Sequence, residues 1–339
     1  MQAILAVTIP FFALVMLGYL AAQRRWLPES AIPGLNAYVL FFALPSMLFR
    51  FGASMPFAQL IDPALVAIYA SCALAIVGLT VAVTLRRRPA GPGVDLKNAA
   101  FGALVAAFPN SGFMGVPLLV ALLGAAAAGP VIGTLLVDLF LTSTLCLALA
   151  HAHRQEPAAG AGPARSAAAR GSVAAVVARS LRGAATNPQP WAIALGALAA
   201  ATGAALPAPL AQVVKMLADS ASPVALFTIG AVLWRAGQHA HHHTPVREFL
   251  PVALIKLLVH PLLVGGAGMA LRAAGVNVPA AGLTVLVLTA ALPSASNVSL
   301  LAERYGADNG RVARIIMAST VLAFASFTLM AWGFSLVGH

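Results

Sequence analysis

Apolar residues fill the chain in ten long runs: Ile4–Ala22, Ile32–Phe49, Pro63–Leu85, Asn98–Leu123, Pro130–Ala150, Trp191–Leu206, Leu210–Leu233, Phe249–Leu271, Pro279–Ala302 and Ile315–Val337. A helix that crosses a bilayer needs roughly 20 residues, and nearly all of the runs are long enough. They do not alternate apolar and polar positions over short segments, as the strands of a closed barrel do. The pattern predicts an all-α polytopic membrane protein with ten spans.

Two runs are interrupted at their centres. The fourth carries "AFPNSGFMGVP" (107–117) and the ninth "ALPSASN" (291–297). Each puts proline and small polar residues at a depth where no water satisfies freed backbone groups. Such irregular backbone survives in a membrane only where it is buried in protein or lines a cavity. Both interruptions precede a Leu-Leu pair and a glycine. Between them, after the fifth run, the segment "HRQEPAAGAGPARSAAARGS" has the Ala, Gly, Pro and Arg content of a cytoplasmic linker. Within the linker Val173, Val176, Val177 and Leu181 follow helical spacing beside Arg170, Arg179 and Arg182, so it is read either as a mobile linker or as carrying a short amphipathic surface helix. The chain thus divides into residues 1–152, a linker at 153–187, and residues 188–339. Five spans per half force the second half to start from the opposite side, so any repeat is inverted. Matching interrupted spans in two inverted halves are a transporter signature. Each interruption would open a half-helix N-terminus with partial positive charge near the midplane, and a pair of them would attract an anion.

Composition sharpens this picture. Sixty per cent of the residues are hydrophobic and 9% are charged, against about a quarter charged in soluble proteins. The net charge of +11 is positional. With the N-terminus outside, sixteen Lys and Arg fall in inner loops, only Arg50 and Arg272 at outer ends, and Lys215 and Lys256 inside spans. That bias predicts both termini outside and removes the reason to invoke nucleic acid. The Ala, Gly and Arg content suits a bacterial inner membrane protein. Cys72 and Cys146 are isolated and give neither zinc spacing nor a disulfide framework. No metal site or cofactor is expected, and the loop cluster His239–His243 is read as solvated.

The stretches "PNSGFMGVPLL" (Pro109–Leu119) and "LPSASNVSLLAERYGAD" (Leu292–Asp308), with "DSASPVALFTIGAVL" (Asp219–Leu233) and "FFALPSMLF" (Phe41–Phe49), resemble the auxin efflux carrier family. That family includes plant auxin exporters and bacterial permeases for malonate and related carboxylates. The resemblance runs over essentially the whole chain. It implies ten helices in two inverted five-helix repeats, with spans four and nine broken and crossing, a scaffold of spans one, two, six and seven, an elevator-like transport unit and a homodimer. It implies that Asn110 contacts a substrate carboxylate and that Asp219 stands at a second contact position, although an acid there would repel an anion. It also implies an acid on span three paired with Lys256. Span three offers only Tyr69, Ser71 and Cys72, and no acid.

Ionisable residues inside spans are functional candidates. Lys215 and Asp219 are spaced to pair along one helix face. Lys256 and His260 share a face on span eight and would favour an anion or couple protons, although Lys256 is also placed to snorkel inward. Asp138, mid-span in the fifth run, would partner Lys256 or carry a proton. The expected function is secondary transport of a small organic anion, a mono- or dicarboxylate. Ser111, Ser294, Ser296 and Asn297 would join Asn110 as donors, Gly112 and Pro117 are counted as further substrate contacts, and Pro109 and Pro293 make the crossover. Protons or sodium are the candidate coupling ions, and the lipid bilayer is the surrounding partner. Two other classes fit less well. A membrane-embedded hydrolase using Ser294 or Ser296 lacks a GxSxG motif. A sodium-coupled carrier of related design would want a carboxylate near the crossover.

Overall fold

The computed structural model describes residues 2–56, 60–86, 94–152, 173–238 and 244–337. These residues are helical almost throughout and contain no strand beyond one isolated bridge. In chain order the helices are α1 (Gln2–Gln23), α2 (Glu29–Ser54), α3 (Pro63–Arg86), α4 (Leu96–Ala107), α5 (Ser111–Leu123), α6 (Ala125–His151), α7 (Val173–Ala185), α8 (Pro188–Thr202), α9 (Ala208–Gln238), α10 (Val246–Ala273), α11 (Ala280–Ala290), α12 (Val298–Arg304) and α13 (Asn309–Val337). Among the described residues seven are long and apolar enough to cross a membrane: α1, α2, α3, α6, α9, α10 and α13. The protein is an all-α polytopic membrane protein.

The interrupted runs become pairs of shorter helices. Run four is α4 and α5, separated by Phe108–Asn110, and run nine is α11 and α12, separated by Ala291–Asn297. Run six keeps its short length but starts and stops a few residues earlier. Its helix α8 has 15 residues and stops at Thr202, where Gly203 takes a left-handed conformation (φ 67°). At 1.5 Å per residue α8 spans only about 22 Å, short of the roughly 30 Å hydrocarbon core. The helical spacing in the linker does form a helix, α7, which packs against the end of α6. Residues 153–172 and the loop histidines His239–His243 lie outside the described residues.

Helix packing follows the small residues. α1 lies against α9 with Gly18 at the Phe227 backbone and Gly230 at the Val15 backbone. α2 lies against α8 in the same manner, with Gly52 at the Ile193 backbone and Gly196 at the Phe49 backbone. A side chain at any of these glycines would collide with main chain, so the small residue is what lets the helices approach. The broken helices sit inside the bundle, where α4 is buried from Ala99 to Ala107 and α11 from Val285 to Ala290. Where α4 starts, Arg311, counted above among the loop cations, is only 2% exposed. It donates to the Asn98 carbonyl at 2.9 Å and the Glu248 carbonyl at 3.1 Å, while the Asp308 amide donates to Asn98 Oδ1 at 2.7 Å. These bonds tie the start of α4 to α10 and α13.

Candidate functional site

The two breaks meet. Pro109 and Ser294 form an antiparallel bridge. The Asn110 amide donates to the Pro293 carbonyl at 2.8 Å, and the Ala295 amide donates to the Phe108 carbonyl at 3.0 Å. Proline has no amide hydrogen and disfavours helix in the residue before it, so each "X-Pro" leaves the helix extended. The extended pieces then satisfy one another's backbone groups, as burial in a membrane demands. Two further groups are met nearby: Ser294 N–H reaches Ser319 Oγ of α13 at 3.2 Å, and the Asn110 carbonyl accepts from Met114 and Gly115. Past the first break α5 opens with a π turn at Ser111–Gly115, a distortion frequent at functional sites.

Beside this crossing lies a small cavity of about 20 Å³, room for about one water molecule. Its polar lining is Asn110 and Ser111 from the first break, Asn297 from the second, and Gln189 from the first turn of α8. Phe108, Phe113, Leu135 and Leu139 supply its apolar wall. Among the described residues no charged one lines it. Among the same residues no side-chain hydrogen bond joins Asn110, Gln189 or Asn297 to the rest of the protein, and Asn297 Oδ1 is buried without a partner. Ser111 Oγ has weak contacts at best, 3.4 Å from Thr134 Oγ1 and 3.5 Å from the Pro109 carbonyl. Buried polar groups are normally paired. Three amides with no partner within the protein therefore surround one cavity, and Asn297 Oδ1 is the one among them that is fully shielded.

A second polar cluster lies deeper and is different in kind. Asp138, Lys256 and His260 are fully buried. Asp138 Oδ2 accepts from the Tyr69 hydroxyl at 2.9 Å and its Oδ1 from Thr142 at 3.1 Å. Lys256 Nζ donates to the Ala290 carbonyl at 2.6 Å and lies 3.4 Å from His260 Nδ1, whose ring centroid is 5.7 Å from that of Tyr69. Ala290 is the last residue of α11, so Lys256 sits where a helix end leaves carbonyls without partners and carries partial negative charge. Lys256 neither snorkels to the inner surface nor lines the cavity. Asp138 and Lys256 are near enough to interact electrostatically, but no direct ion pair joins them. Both begin or occupy π turns, Asp138–Thr142 and Ile255–Val259.

The cavity thus gathers Pro109, Asn110, Ser111, Gly112 and Asn297 from the expected set. Ser294 and Ser296 are buried at the second break but do not line it, Pro293 contributes its carbonyl to the bridge, and Pro117 sits one turn on, in α5. Asp219 is elsewhere. It is half exposed and takes Lys215 at 2.6 Å and Arg50 at 2.9 Å. The pairing along the face of α9 is as the spacing predicts, and an acid neutralised by two cations away from the cavity removes the puzzle of a carboxylate facing an anion. The seven-residue α12 is also too short to carry the second half-helix end expected at the crossing.

The model of the family described as membrane transport protein matches residues 3–331 of the chain. The chain belongs to the auxin efflux carrier family of membrane transport proteins. It is 29% identical over 333 residues to a Rhizobium meliloti (strain 1021) protein named "Putative malonate transporter", covering 97% of this chain and 95% of that one. It is 26% identical over 318 residues to an "Uncharacterized transporter" of Methanothermobacter thermautotrophicus, with 93% of each chain covered. It is 25% identical over 332 residues to "Uncharacterized transporter YfdV" of Escherichia coli (strain K12), covering 93% of this chain and 92% of that one. The family and these relatives are transporters, and this member is a membrane transporter rather than an enzyme.

Gln189 has no signal in the sequence of this transporter, and Tyr69 counts there only as a residue that is not an acid. Gln189 follows "NP" at the end of the linker, a helix-start pattern in which Asn187 caps by accepting from the Gln189 amide at 2.9 Å. Its 4% exposure comes from the packing of α8 on α2, which no local signal reveals. Tyr69 stands on α3 where the family resemblance implies an acid, and its hydroxyl reaches the acid that α6 provides instead.

Proposed function

We propose that the chain is a secondary transporter of small organic anions, working by alternating access around the crossing of its two broken helices. The observation that carries this is the cavity at the crossing, lined by amides that have no partner within the protein. A carboxylate accepts several hydrogen bonds and fits donors of that kind. At about 20 Å³ the cavity has room for about one water molecule, so in this reading it widens to load its substrate. In this reading the fold is ten membrane crossings in two inverted five-helix repeats, 1–152 and 188–339. The reciprocal glycine contacts support it. In an inverted repeat a contact between the first helix of one half and the second of the other comes with its reciprocal, and α1 with α9 and α8 with α2 form such a pair through the same device. The scaffold is then α1, α2, α8 and α9, and the broken helices with α3, α6, α10 and α13 form the part that moves as an elevator.

Asp138, with Tyr69, Lys256 and His260, is the proposed coupling centre, and protons are its ion. The cavity holds amides and a hydroxyl but no carboxylate, which is a poor set for sodium. A buried acid near a buried lysine is costly in a membrane unless charge moves or is shared. We further place the transporter in a bacterial inner membrane as a homodimer with both termini outside. Uptake of radiolabelled malonate and other carboxylates into proteoliposomes tests the assignment. Wild-type protein is expected to accumulate at least one of them and Asn110→Ala to lose that uptake. Equal uptake by both would overturn it.

A further inference from the structure

We propose that the cavity accepts a carboxylate carrying a single negative charge, and that Gln189 of α8 reads the neutral, hydrogen-bonding far end of that molecule. The inference rests on the reading of the cavity as the substrate site and goes beyond it by naming the charge state and a specificity residue.

The argument begins with what the cavity lacks. Its polar groups are Asn110, Ser111, Asn297 and Gln189, all uncharged. Asp138 and Lys256, buried in the neighbourhood, are turned to other partners, and His260, whose Nε2 has no partner among the described residues, does not line the cavity. Asp138, next in sequence to the lining residue Leu139, gives its carboxylate oxygens to Tyr69 and Thr142. Lys256 is held on the Ala290 carbonyl. The cations Arg50 and Lys215 are exposed and share Asp219. A buried charge without a counter-charge needs hydrogen bonds all round it. Two asparagine amides and a serine hydroxyl supply those for one carboxylate. Nothing in the lining supplies them for a second.

The arrangement of the amides gives the rest. Asn110 and Asn297 come from the two breaks, which are bonded to each other through the main chain. Gln189 comes from a different helix, α8, packed on α2 through the Gly52 and Gly196 contacts. A ligand held by the paired breaks therefore presents its other end to Gln189. A carboxamide both donates and accepts, so it suits a hydroxyl, a carbonyl, an ester or a protonated acid. For a dicarboxylic acid the bound species is then the half-protonated monoanion.

The test compares three ligands on the purified full-length protein by equilibrium binding: malonate, monomethyl malonate and butyrate. The monoester is a malonate with one charge removed, and butyrate keeps one charge but has no polar far end. Wild type is expected to bind the monoester about tenfold more tightly than butyrate, which is one net hydrogen bond, about 1.4 kcal/mol. Malonate is expected to tighten as the pH moves from mildly alkaline to mildly acidic, while the monoester, whose charge is constant there, stays level. The monoester also reports any titration of the protein itself. Gln189→Leu is expected to bring the ratio of monoester to butyrate affinity close to one. Tight, pH-independent binding of the malonate dianion overturns the single-charge proposal, and this arm needs no variant. An equal loss for monoester and butyrate in Gln189→Leu overturns the role of Gln189 and leaves it a structural residue. Failure of every carboxylate to bind wild type overturns the carboxylate reading itself, and this proposal with it.

Discussion

The transporter holds two polar regions in its apolar interior, and they differ in how their hydrogen bonds are met. In the cavity at the crossing the groups are neutral and unpaired: Asn110, Gln189 and Asn297 face a space rather than one another. In the cluster behind it the groups are ionisable, and Asp138 and Lys256 are fixed by partners. Asp138 is held by Tyr69 and Thr142, and Lys256 by the end of α11. Unpaired neutral groups cost the fold stability, and in the proposed function a ligand satisfies them. The ionisable groups are satisfied as a set, so removing one member leaves another buried without its partner. One region is therefore expected to govern affinity, and the other to govern stability and the coupling of movement.

This contrast can be broken at several points. The largest effect is expected from Lys256→Leu, which removes the donor from the Ala290 carbonyl and a cation from the neighbourhood of Asp138. Removing one member of a buried charged set costs roughly 3–5 kcal/mol, so thermal unfolding of the detergent-purified variant should begin far below that of wild type. Adding Asp138→Asn should recover part of the loss, since the second charge is then gone. Tyr69→Phe deletes one bond to Asp138, and unfolding should register about 1–3 kcal/mol. Asn297→Ala belongs to the other region. Its Oδ1 has no partner to lose, so the melting temperature should hardly change while carboxylate affinity falls. A stability loss in Asn297→Ala as large as that in Tyr69→Phe would erase the distinction between the regions.

Much of this was legible in the chain because membranes restrict it. The long apolar runs mark helices, and prolines among small polar residues mark the two breaks, although Pro223 beside Ser220 and Ser222 stands inside the continuous α9. The mutual satisfaction of the breaks, Asn110 to Pro293 and Ala295 to Phe108, is long-range and has no local trace. The direction of a side chain is equally silent in sequence. Lys256 and His260 share a helix face, as their spacing requires, yet that face meets α11 and Tyr69 rather than the cavity. Asp219 lies in a stretch similar to its family, but its two cations hold it at the exposed surface. Gln189 was hidden for the opposite reason: its surroundings in sequence are those of a helix start, and only packing buries it.

The division between the two regions is most directly tested by equilibrium binding of a radiolabelled carboxylate to Asn110→Ala and Asp138→Asn, measured side by side with proteoliposome uptake. The account predicts that Asn110→Ala loses binding and uptake together, whereas Asp138→Asn binds within a few-fold of wild type and loses uptake. Retained binding in Asn110→Ala with lost binding in Asp138→Asn would contradict it, and would move the substrate from the neutral cavity to the charged cluster.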